Sequence, residues 1–95
     1  MILPLMPSRT VTISNRLGLH ARPAMMLAEC AGGFKSGVTI QREDGGDEVD
    51  AKSIMQLLML AGTRGTRLKI KAEGGDAKAA LKAISDLFAS GFDDE

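Results

Sequence analysis

The chain contains no tryptophan, no tyrosine and only three phenylalanines in 95 residues. Platforms for stacking nucleobases and aromatic cages for cationic ligands are therefore poorly supplied. Its single cysteine, Cys30, cannot close an internal disulfide, which suits a reducing compartment. One cysteine and one histidine make no ligand cluster, so no metal is expected. The nucleophile-elbow pattern G-x-S-x-G is missing as well. Neither sign of charge is in excess: 12 basic side chains balance 12 acidic ones, without the surplus that a nucleic-acid-binding face needs. The apolar start, Met1-Ile2-Leu3-Pro4-Leu5-Met6-Pro7, is short, broken by proline and without a charged leader, far below a membrane span. We expect residues 1–7 to be a flexible extension. Residues 8–95 are expected to form one cytoplasmic, monomeric domain with neither nucleic acid nor membrane as partner.

What is present is a succession of clear periodicities. Thr10-Val11-Thr12-Ile13 alternates and predicts a first strand. Ala24, Leu27, Ala28 and Ala31 recur at helical spacing, predicting a helix over about Ala21–Ala31 that Gly32-Gly33 would end in the left-handed region. Residues 37–41 and 48–51 flank the turn-forming Glu43-Asp44-Gly45-Gly46-Asp47 and are expected to pair as a hairpin. Ser53 is a good N-cap for a short helix reaching about Leu60. That helix is apolar nearly all round, and a small domain cannot bury all of it. Ile54, Met55, Leu58 and Met59 are therefore candidates for a docking surface, where flexible methionines suit repacking against several partners. Residues 66–72 alternate as a fourth strand with one wet face. Gly74-Gly75-Asp76 is expected to cap a last helix with the stripe Ala77, Ala80, Leu81, Ile84, Leu87 and Phe88. Gly91-Phe92 suggests a Schellman stop with Phe92 folding back toward Leu87. The order βαββαβα predicts an α+β fold with three helices on one face of a four-stranded, mainly antiparallel sheet.

The lone histidine lies where a strand pattern gives way to a helix pattern, in Gly18-Leu19-His20-Ala21-Arg22-Pro23-Ala24. Proline is tolerated only in the first helical turn, so the helix starts within a residue or two of His20. The first N–H groups of a helix lack intrahelical acceptors and carry the positive end of its dipole, which makes an anion site. Arg22 adds a planar guanidinium matched to phosphate oxygens. On its own such a histidine can equally cap the helix or sit solvated. What it can do chemically without a second histidine is act as a covalent nucleophile.

The segment from Leu17 to Ala24 resembles the active-site signature of the HPr family, the histidine phosphocarriers of the bacterial phosphoenolpyruvate phosphotransferase system. Lys52-Ser53-Ile54-Met55 and the residues to Leu60 resemble that family's regulatory-serine helix, at a similar separation from the histidine. The resemblance runs from about Ser8 to the end of the chain. It implies an open-faced sandwich and no cofactor. It implies that His20 accepts a phosphoryl group on Nδ1 from enzyme I and passes it to a histidine of a downstream A-type component. It further implies that Arg22 offsets phosphate charge, that the N–H groups of Ala21 and Arg22 point at the phosphate, and that Ser53 is a target for an HPr kinase/phosphorylase. Such a chain is a covalent carrier rather than a turnover enzyme. Asn15-Arg16-Leu17 and the ending from Leu87 to Glu95 are similar to the nitrogen-type branch. Glu29, Gly32 and Gln56 stand where sugar-type relatives often carry basic or other polar residues. Two other readings stay open at this point. One is an interaction-only regulator of the same fold; the other is a small-molecule-binding regulatory domain.

Overall fold

A computed structural model describes residues 6–60 and 62–93. The first five residues of the expected extension lie outside the described set; Met6 is exposed, and the Pro7 carbonyl already accepts from Ala72 N at 3.1 Å.

The element order is β1 (Ser8–Thr12), α1 (Ala21–Gly32), β2 (Gly37–Arg42), β3 (Val49–Asp50), α2 (Ile54–Met59), β4 (Arg67–Glu73) and α3 (Ala77–Ala89), followed by a turn at Gly91–Asp93. The strands lie in the order β1-β4-β2-β3, and every neighbouring pair is antiparallel. β4 therefore slots between the two strands that α1 connects. Its alternation sets the layers: Leu68, Ile70 and Ala72 are buried, while Arg67, Lys69 and Glu73 face water. Val38 and Ile40 of β2 lie opposite Ala72 and Ile70 on the buried side. The helices cover this side. Buried Ala24, Ala28 and Ala31 of α1 and Ala77 and Ala80 of α3 leave room for larger neighbours such as Leu27, Leu57, Ile84 and Phe88. Among the described residues, no helix covers the other face of the sheet.

Several boundaries differ from the sequence expectation for identifiable reasons. β1 begins two residues early, because Ser8 and Arg9 pair with Lys71 and Ile70, and it ends before Ile13. Ile13 turns its backbone to a loop instead, donating to Thr66 O at 3.0 Å and accepting from Gly65 N at 2.7 Å. β3 is only two residues long, since the hairpin loop runs through Gly45 and Gly46 at φ 118° and 108° and closes only at Ile40–Val49. The α1 stop is not left-handed: its C-cap Gly33 has φ −75°, and Phe34, half-buried against the core, secures the exit. Phe92 folds back and meets Phe88, with ring centroids 5.0 Å apart in an edge-on arrangement.

Asp76 holds the N-cap position of α3 without capping it. Its carboxylate turns to the start of β2, accepting from Lys35 N and Ser36 N, each at 2.9 Å, and from Ser36 Oγ. These donors lower the Asp76 pKa to about 2, the Ser36 hydroxyl contributing most. A folded-state pKa below the ordinary value means a contribution to stability that is complete above about pH 4 and lost as pH falls through about 2. Urea unfolding should show Asp76→Asn less stable than the parent at pH 6, with the gap shrinking steadily from pH 4 to pH 2.

Candidate functional site

His20 is the N-cap residue of α1, with φ −87° and ψ −170°, and it is half-buried. Extended backbone at this position is what an N-cap requires, and Pro23 follows in the first turn with its fixed φ and no N–H. The imidazole makes no capping hydrogen bond to the helix. The backbone does the work: His20 N donates to Gly18 O and Ala24 N donates to His20 O, both at 3.0 Å. The N1 and N2 amides, of Ala21 and Arg22, have no acceptor within a helix by its geometry. Ala21 and Arg22 are exposed, so the mouth of α1 opens to solvent beside the ring. Arg22 Nη1 donates to the main-chain carbonyl of Phe92 at 3.1 Å.

The turn that delivers His20 to this place is laced to the rest of the molecule. Buried Asn15 donates through Nδ2 to Gly18 O at 2.7 Å, and Gly18 N returns a bond to Asn15 O at 3.2 Å. Leu19 is buried and its N–H donates to Gly62 O at 2.9 Å. Gly18 has φ +72°, and a Cβ there would overlap the Gly62 carbonyl oxygen and meet Thr63 Cα at 3.0 Å. A Cβ on Gly62 would in turn meet Ile13 Cδ1 at 2.5 Å. Gly18 thus lies against the Gly62 main chain with no room for a side chain, two residues before the histidine.

Ser53 is the N-cap of α2, and its hydroxyl accepts from Gln56 N at 3.2 Å. Beyond it Leu57 and Leu60 are buried, whereas Ile54, Met55, Leu58 and Met59 are exposed, Met55 to 72% and Met59 to 78%. α2 packs against α1, which exposes Met25, and Leu17 precedes His20 with 60% of its surface in water. The candidate docking residues are therefore all at the surface, as are Leu17 and Met25. Met25 falls off the buried stripe of α1, a signal readable at helical spacing. Cys30 is half-buried, and that burial pushes its thiol up, away from the reactive thiolate. Among the described residues no group of three or more His, Cys, Asp or Glu could hold a metal, and no helix is long and apolar enough to cross a membrane.

The family model described as "PTS HPr component phosphorylation site" matches residues 7–90. The chain belongs to the HPr family. It is 45% identical to the phosphocarrier protein NPr of Escherichia coli K12, over 92% of this chain and 96% of the relative. It is 38% identical to the phosphocarrier protein HPr of Xylella fastidiosa Temecula1, over 90% of this chain and 93% of the relative. Among solved structures, HPr of Thermoanaerobacter tengcongensis superposes with a TM-score of 0.88 at 39% identity, covering 95% of this chain and 99% of the other. An HPr fold and a phosphocarrier role in the phosphotransferase system follow from these matches.

The HPr turn before α1 is sensitive at Gly18. Alanine there would meet both left-handed strain and the Gly62 backbone, and the sum is roughly 2–5 kcal/mol. Gly18→Ala should lower the unfolding free energy from urea titration by that amount and shift the His20 ring resonances, whereas Gly46→Ala, also at positive φ but with open space around it, should cost less and leave those resonances in place.

Proposed function

We propose that this HPr-family chain carries a phosphoryl group on His20, taking it from phosphorylated enzyme I and delivering it to a histidine of an A-type component. A lone pair on the imidazole attacks phosphorus. The new N–P bond forms as the bond to the enzyme I histidine breaks, and that donor ring leaves with its electron pair. The reverse logic releases the group downstream, and the chain is regenerated without a cofactor of its own. The observation that carries this reading is the placement of a ring with no capping duty at the open N-terminus of α1. The N–H groups of Ala21 and Arg22 then face the phosphate, and Arg22 offsets its charge.

The magnitudes suit a carrier. A helix N-terminus contributes about 0.3–1 kcal/mol to a nearby anion, rising to about 2 when partly buried. A hydrogen bond to a charged group adds roughly 1.5–3 kcal/mol. Together these steady a phosphohistidine at an exposed site without enclosing it, so it stays transferable. The NPr-named relatives and the uncharged α2 favour the nitrogen-type branch, with the cytosol as the place of action. We assign docking to Ile54, Met55, Leu58 and Met59, and their charge-free helix calls for an apolar partner surface.

Ser53 is the regulatory position in this reading. A phosphate there adds about −1.5 to −2 charges. The positive end of α2 tolerates that charge, but an apolar partner face does not, so docking is inhibited while the fold persists. Ser53→Asp mimics the charge, and aspartate is itself a good N-cap. It should keep the parent's thermal midpoint within a few degrees, yet slow phosphoryl uptake from enzyme I by roughly tenfold or more. Uptake at the parent's rate would remove the regulatory assignment.

The decisive experiment incubates the chain with enzyme I and phosphoenolpyruvate and follows its mass. We expect one added phosphoryl group, lost in acid and absent from His20→Ala. A label that survives acid or persists in His20→Ala would remove the carrier reading and leave the interaction-only one.

A further inference from the structure

Arg22 is joined to a part of the chain that the motif around His20 does not contain. Its Nη1 donates to the Phe92 carbonyl, 70 residues along the chain, at 3.1 Å. That carbonyl is aimed by an unusual backbone. After α3 ends, Gly91, Phe92 and Asp93 follow one another at φ 65°, 59° and 53°, in the left-handed region. Phe92 and Asp93 lack the freedom of glycine, so something must hold the turn. The Phe92 side chain does so: it is fully buried and packs edge-on against Phe88 at 5.0 Å. The same end of α3 also receives the loop before the histidine, because Ser14 Oγ donates to Phe88 O at 3.2 Å. The histidine loop and the arginine are thus both referenced to one aromatic pair.

We propose that Phe92 is a positioning residue for phosphoryl transfer, its ring-anchored, left-handed turn aiming a main-chain carbonyl that holds the Arg22 guanidinium at the mouth of α1. The inference rests on the carrier function proposed above. A neutral carbonyl is a weaker partner for a guanidinium than an anionic phosphate oxygen. The Phe92 carbonyl thus helps to orient the arginine, and the Nη1 it engages can pass to a phosphate oxygen when one arrives.

The test is a double-mutant cycle. Single-turnover transfer from phosphorylated enzyme I is followed for the parent, Arg22→Ala, Phe92→Ala and the double variant, with an unfolding curve for each. Phe92→Ala should slow transfer about three- to tenfold. In the Arg22→Ala background the same change should cost less than about twofold, because the two residues act as a unit. Effects that simply multiply would mark Phe92 as structural only and overturn the proposal. Should Phe92→Ala fail to fold, the carbonyl ¹³C resonance of Phe92 decides in its place: it should move in Arg22→Ala, and an unmoved resonance overturns the proposal. A parent chain that takes up no phosphoryl group would overturn the functional reading, and this inference with it.

Discussion

The molecule depends on a crossing of two backbones. The segment from Ile13 to Leu19 passes over the loop at residues 62–66 with no side chain between Gly18 and the Gly62 carbonyl. Hydrogen bonds from Leu19 to Gly62, from Gly65 to Ile13 and from Ile13 to Thr66 fasten the two together. Since the 62–66 loop leads straight into the central strand β4, the histidine is positioned from the middle of the sheet. α1 contributes a direction for the dipole, but the height of His20 along that axis is set by the crossing.

A second organising contact lies on the far side. Asp76 gives up the capping of its own helix to bind the backbone at Lys35 and Ser36, so the start of α3 is attached to the start of β2. The far end of α3 carries the Phe88–Phe92 pair. For Phe92 the balance can be weighed. The left-handed backbone costs an L-residue about 1–2 kcal/mol, while burying a phenylalanine side chain contributes about 1.5–3 kcal/mol. Burial of the ring thus offsets the cost at Phe92 itself, which is how that position does without glycine. α3 is thereby held at both termini, between the strand it covers and the loop that presents His20.

The sequence made the helices and the site's address legible because their signals are local. Pro23 placed the start of α1, Ser53 placed the start of α2, and the alternation in β4 sorted buried from wet residues. The exposure of Ile54, Met55, Leu58 and Met59 could be reasoned from simple lack of room in a small core. What escaped is long-range. Nothing near Asp76 says that its carboxylate would prefer amides 40 residues away to those of its own helix. Gly62 looks like ordinary turn material until the strand order brings Gly18 beneath its carbonyl. The glycine pair after α1 misled because two glycines permit a left-handed exit without requiring one. Asn15 was the nearest to a missed local signal, since asparagine three residues before glycine is a common turn arrangement.

The face of the sheet turned away from the helices separates two kinds of change available to this chain. Thr10, Thr39, Gln41 and Lys69 lie there, on the side of the sheet opposite the helices and the aromatic pair. Substitutions among them alter how the protein meets its general surroundings, its solubility and its crowding by neighbours, while the histidine side keeps its shape. The molecule can in this sense drift in character on one side without losing its trade on the other.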